Sequence, residues 1–191
     1  ALIARAGARL GTVPLAANHV LMLFVSMSAF VLDGFAFTAE ARVGAAIGAG
    51  SRAGMLRAAR LTGEFSLVGA LLFAAGIAVT GPWLIPLVTR DPAVQAQAIA
   101  LLPYCALVPL LGMPSWLLDG IFIGATQGAT LRNAAIVTLG LYLATDMILR
   151  GQGEAGVWIA LLASYLYRAA ALGVALPRLV GRVGASPARY G

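Results

Sequence analysis

Charge is scarce in this chain. Only 10% of its 191 residues are Asp, Glu, Lys or Arg, against about 25% in an ordinary soluble domain. Lysine is absent altogether, so all 13 basic residues are Arg, and with seven acidic residues the formal net charge is +6. The arginines stand singly between apolar runs, whereas nucleic-acid binding calls for a basic patch on a polar folded domain. A nucleic-acid partner is therefore not expected. One cysteine, Cys105, permits neither a disulfide framework nor a thiolate metal set, and inside an apolar run it reads as a small buried hydrophobe. One histidine, His19, excludes a histidine metal cluster and leaves no workable Ser–His–Asp hydrolase set. No P-loop pattern occurs, so this chain carries no nucleotide-driven motor.

Apolar sequence fills the space that charge leaves. Hydrophobic residues make up 61% of the chain and the mean hydropathy is +0.92. A soluble protein of that composition could not clothe its surface in polar groups, but a bilayer removes the need. A helical span takes about 20 predominantly apolar residues. Five stretches meet that requirement: 16–48, 61–89, 94–126, 131–149 and 156–180. Residues 2–10 read as the stub of a preceding span. The expected fold is thus all-α, a polytopic transmembrane bundle. Residues 1–12 form the end of a truncated helix with its loop, 13–182 a five-helix bundle, and 183–191 a tail. Because the chain opens on ALIARAGARLG, it is expected to be a piece of something longer.

Arginine distribution suggests the orientation. Arg42, Arg52, Arg57, Arg60, Arg132, Arg178, Arg182 and Arg189 fall on one side of the membrane; Arg5, Arg9, Arg90 and Arg150 fall on the other. The positive-inside rule puts the richer side, with the GSRAGMLRAAR link and the C-terminus, in the cytoplasm. Glycines such as Gly44, Gly48, Gly50, Gly69 and Gly76 would let helices approach closely. Pro103, Pro109 and Pro114 each remove a backbone donor from the third span and favour a kink there, a feature that also marks transport pathways.

The residues that lipid would not tolerate are few. Asp33 lies in FVLDGFAF and Asp119 in WLLDGIFIG; Glu40 follows Asp33 by about two helical turns, so both can share a face. An ionised carboxylate at such a depth must pair, meet water or take up a proton, so these three are candidate proton or cation sites. Their structural alternative is a helix–helix hydrogen bond or a partner arginine. Arg168, in YLYRAAAL, is the intramembrane cation and the natural countercharge; contact with an anionic substrate is its other possible role. Asn18, Tyr104, Gln127 and Asn133 are candidate cavity-lining groups. His19 reads as a helix-end residue or a proton relay. Asp146 and Glu64 lie near span ends, where solvation is easy. No metal site is expected. LDGFAFTAEARVG at 32–44 and LDGIFIGATQG at 118–128 also form a weak internal echo, and transporters are often built from repeats.

At these motifs the chain resembles a known family. PLAANHVLM, LDGFAFTAEARVGAAIGAG, GPWLIPLVTRDPAV, LDGIFIGATQGATLRNA and GVWIALLASYLYRAAAL, in that order, look like the multidrug and toxic compound extrusion (MATE) family, in its DinF-like branch. The resemblance implies a twelve-helix fold of two six-helix lobes, of which this chain would be most of the second, partnered by an N-terminal lobe that the sequence lacks. It implies export of small organic, often cationic or amphipathic compounds across the inner membrane in exchange for H+ or Na+, with no other cofactor and with both termini cytoplasmic. Asp33 and Glu40 match acidic positions of the eighth family helix, Asp119 one of the tenth, and Arg168 an arginine of the twelfth. The chain departs from the family at Arg42, where a less polar residue is expected, and at Gln127, where a basic one is. Three alternatives stand beside this reading: a flippase for lipid-linked sugars, which Arg168 would suit; an intramembrane enzyme; and a membrane scaffold that transports nothing.

Overall fold

The structure is a computed structural model, and it describes residues 11–183. Among the described residues there is no strand. Five helices follow one another: α1 (Thr12–Gly48), α2 (Arg52–Val88), α3 (Pro92–Gly124), α4 (Gly128–Leu149) and α5 (Gly153–Val183). Each of the five apolar stretches read from the sequence corresponds to one of them, with 61–89 and 94–126 running one and two residues past the ends of α2 and α3. The helix stub at 2–10, Arg5, Arg9 and the tail with Arg189 lie outside the described residues.

The connections are three residues each, which forces consecutive helices to run antiparallel. Local chemistry sets each boundary. Gly50 turns with φ +66° between α1 and α2, and the Ser51 hydroxyl then accepts from the Gly54 amide at 3.0 Å as an N-cap. Asp91 caps α3 by accepting from Ala93 N at 2.8 Å, with Pro92 at the first helical position, where a missing N–H costs nothing. Between α4 and α5 a 3-10 turn, Arg150–Gln152, leads into Gly153 at φ +62°. Without that reversal Gly128–Val183 would read as one 56-residue apolar helix, far too long for a single crossing.

One expectation needs correction. The arginine-bearing link GSRAGMLRAAR is not a loop: helix α2 begins at Arg52, and only Ala49–Ser51 connect it to α1. Ala, Met, Leu and Arg are good helix formers, so once Ser51 caps the start nothing stops the helix from extending beyond the apolar segment. Helix α3 runs continuously through Pro103, Pro109 and Pro114. At 37 residues each, α1 and α2 are about 55 Å long and extend well past a hydrocarbon core of about 30 Å. Helix α4, at 22 residues, is about 33 Å and matches that core.

Helix α3 is the hub. It packs against α1, α2 and α5, while α4 is attached mainly through its hairpin with α5. One core gathers Leu21, Phe24, Cys105, Val108 and Trp158 at the end where α1 begins. A second gathers Val43, Met55, Phe122, Leu172 and Leu179 at the opposite end. Large apolar side chains also point outward, Phe30, Leu87 and Ile148 being more than 80% exposed. In water such a surface would be a liability; facing acyl chains it is the expected one.

The tightest contact in the bundle is between α1 and α3. A Cβ built on Gly120 would collide with the carbonyl of Ala36, one on Gly124 with that of Glu40, and one on Gly44 would stand 3.2 Å from the Gly124 oxygen. Gly120 and Gly124 form a GxxxG pair, which lets two membrane helices meet backbone to backbone. The echoed LDG segments are therefore the two that pack on each other. Of the glycines singled out from sequence, Gly44 serves this contact and Gly69 lies against the Phe35 ring, whereas Gly48, Gly50 and Gly76 have no neighbour that a Cβ would meet.

Candidate functional site

Helices α3 and α5 bring Asp119 and Arg168 together near the middle of the bundle. The guanidinium Nε donates to both carboxylate oxygens, at 3.0 Å to Oδ1 and 2.9 Å to Oδ2, and Nη2 lies 2.8 Å from Oδ1. A planar fork on a carboxylate is the geometry for which arginine is suited and lysine is not. Both side chains are about three-quarters buried, 22% of Asp119 and 25% of Arg168 remaining exposed. One turn earlier on each helix, Trp116 and Tyr165 meet edge to face with ring centroids 5.3 Å apart, and so wall the pair on that side.

Asp33 reaches this pair from α1. It is half-buried, lies within electrostatic range of Asp119, and has no ion-pair partner among the described residues. The α1–α3 contact explains the placement. Ala36 sits on Gly120, so Asp33 and Asp119 come from neighbouring turns of two touching parallel helices. Glu40 does not join them. It lies two turns farther on, beside Gly124, half-buried and with no side-chain hydrogen bond or ion pair among the described residues. The Asp119–Arg168 pair thus has a second carboxylate, Asp33, within electrostatic range.

The remaining sequence candidates scatter. Gln127 and Asn133 line one cavity near the start of α4. Tyr104 packs against the core at the α1 start. Asn18, expected to line a cavity, is instead buried at 2% exposure, because its amide is used inside the protein. His19 is exposed, and Asp146 lies 3.7 Å from Arg150 as a span-end ion pair.

Asn18 leads to an acid that the sequence reading passed over. Its Nδ2 donates to Glu154 Oε1 at 3.3 Å, and its Oδ1 accepts from Trp158 Nε1 at 2.8 Å. Gln97 donates to the other Glu154 oxygen. Glu154 is 8% exposed and has no cationic partner among the described residues; two amides from α1 and α3 satisfy it. This network ties three helices together at the α4–α5 turn. Its only sequence signal is an acid in the first turn of an apolar helix, just after GQG, which reads equally well as a solvated helix start.

Membrane helices, a carboxylate–arginine pair at mid-bundle and a second acid beside it define a polytopic membrane protein with a buried charged centre. Comparison with known proteins names its class. The MatE family model matches residues 2–148, and the chain belongs to that family of membrane transporters. It is 36% identical over 155 residues to the protein of Escherichia coli (strain K12) called DNA damage-inducible protein F. That alignment takes in 81% of this chain and 34% of the relative, so the chain spans about a third of the length of the curated protein it matches.

Proposed function

We propose that this chain is the C-terminal lobe of a secondary active exporter, which moves small organic, cationic or amphipathic compounds outward against inward H+ or Na+. The observation that carries the proposal is the Asp119–Arg168 ion pair inside a membrane bundle, with Asp33 as a second carboxylate within electrostatic range and without an ion-pair partner among the described residues. Asp119 is held by Arg168. Asp33 is left to bind whatever cation reaches it, whether a coupling ion or a cationic substrate. Alternating access would rock this lobe against an N-terminal partner, with the C-terminus and the arginine-rich ends in the cytoplasm of the inner membrane.

The flippase alternative rested on Arg168 as a receptor for an anionic lipid. The Asp119 carboxylate already fills the guanidinium fork, which removes that support.

The test uses the complete protein that carries this chain, reconstituted in vesicles with a fluorescent cationic dye. An imposed H+ or Na+ gradient should drive dye flux, and Asp33→Asn should reduce that flux at least tenfold at equal protein content. No flux under either gradient would refute the antiporter reading. Undiminished flux in Asp33→Asn would move the coupling site elsewhere.

A further inference from the structure

A cavity of about 340 Å³ opens between α4 and α5, at the end of the bundle opposite the Glu154 network. It has no part in the charged centre. Its polar lining is Gln127, Thr130 and Asn133 on the α4 side and Arg178 and Arg182 on α5, with Phe122 and Val137 among its apolar walls. The two arginines are one turn apart on the same helix face, where like charges repel. Neither has a carboxylate partner among the described residues, whose ion pairs are Arg60–Glu64, Arg150–Asp146 and Arg168–Asp119. Arg132 brings a third guanidinium to the rim, its Nη2 3.5 Å from Asn133 Oδ1. None of the chain's seven acidic residues lines the cavity. The result is a roomy, strongly cationic recess with amide groups and no internal counterion.

Position decides which anion suits it. Helix α4 has the length of the hydrocarbon core, so its first turn, at Gly128, lies at headgroup depth. Gln127 makes no side-chain capping bond, which leaves the positive end of α4 open toward the recess. Farther along the same two helices, toward mid-membrane, a separate recess of about 210 Å³ is lined by Thr138, Leu139, Tyr142, Leu161, Ser164 and Arg168, and so belongs to the charged centre. The cationic recess itself carries apolar walls, among them Val137, whose side chain is also exposed on the lipid-facing surface, and a cationic site with such walls at headgroup depth fits an anionic amphiphile better than a free ion.

We infer that the α4–α5 recess binds the headgroup of an anionic phospholipid. Arg178 and Arg182 take the phosphodiester oxygens, and Asn133 and Gln127 contact the polar rim. Basic pockets between membrane helices are suited to such headgroups. This recess shares no lining residue with the Asp33–Asp119–Arg168 centre, and the inference does not depend on what that centre transports.

The experiment uses the complete protein, stripped of lipid in detergent and titrated with phosphatidylglycerol or with phosphatidylcholine of the same acyl chains. Native mass spectrometry counts the lipids retained. One phosphatidylglycerol should be held in preference to phosphatidylcholine. Arg178→Gln with Arg182→Gln should weaken it about 30-fold, at about fivefold for each arginine near an anionic headgroup. Arg52→Gln with Arg57→Gln removes the same charge from exposed positions outside the recess and should change retention less than twofold. A matching gel-filtration profile and melting temperature for the two double variants separates loss of the site from loss of the fold. Equal retention of the two lipids, or equal loss in the two double variants, overturns the site. Displacement of the lipid by inorganic phosphate at similar concentration overturns the lipid assignment in favour of a small-anion pocket.

Discussion

Alanine in place of Gly124 is the sharpest probe of how this bundle holds its carboxylates. The added methyl carbon would stand 3.0 Å from both the Cα and the carbonyl carbon of Glu40, and closer still to the carbonyl oxygen. Carbon atoms pack favourably at about 3.5–4.0 Å, so α1 and α3 must part by at least about 0.5 Å at this level. No side chain can rotate away, because the obstacle is backbone. Overpacking of this kind costs about 1–3 kcal/mol, against which alanine recovers at most about 1 kcal/mol of helix propensity. Gly120→Ala meets Ala36 in the same way, with its methyl 2.9 Å from the Ala36 carbonyl carbon. The two substitutions should not add, since the helices, once parted for one methyl, accommodate much of the second. Gly76→Ala and Gly140→Ala are the internal controls. Nothing lies within 4 Å of a Cβ at either position, so the same chemical change should be neutral or stabilising there. The assay is thermal unfolding of the complete protein in detergent, followed by dye flux in vesicles. Gly124→Ala should lower the melting temperature and also impair flux, because it moves α1 relative to Asp119. An unchanged melting temperature, or strict additivity with Gly120→Ala, would show that the α1–α3 backbone contact is not what sets the spacing.

Two further perturbations test the polar clusters. Asp119→Asn or Arg168→Gln alone leaves a largely buried charge without its partner, at up to about 3–5 kcal/mol, and the double variant should recover most of that stability while remaining inactive in dye flux; a double-variant loss equal to the sum of the singles would refute the pairing. Glu154→Gln keeps one oxygen for two amide donors and should cost about 1–3 kcal/mol in unfolding measurements, whereas Glu154→Leu strands both Asn18 and Gln97 and should cost more; equal costs would mean that the amides do not depend on this carboxylate.

Legibility divides along a physical line. Hydropathy is a property of consecutive residues, so all five helices could be found from apolar runs, and Asp33, Asp119 and Arg168 stood out because lipid penalises them wherever they point. Boundaries were less legible. The start of α2 was placed too late because arginines interrupt apolarity without interrupting a helix. Asn18 was misplaced for a different reason: a polar group that is buried and one that faces a cavity look alike until its neighbours are known.

Which groups meet is a property of packing. Sequence made Arg168 a countercharge for one of three acids; the α3–α5 contact selected Asp119. GxxxG at Gly120 and Gly124 could be read from the chain, but that it seats on Ala36 and Glu40, and so brings Asp33 up to Asp119 while leaving Glu40 apart, depends on the register of α1 against α3. Glu154 had no distinguishing mark until Asn18 and Gln97, 136 and 57 residues away, closed around it. The sequence by itself determined that the chain is a multi-pass membrane protein with five apolar helical stretches, and which charges they carry, because lipid imposes those terms residue by residue. Only the tertiary structure decided which charges are paired and which stay free, because that depends on distances of a few ångströms between helices far apart in the chain.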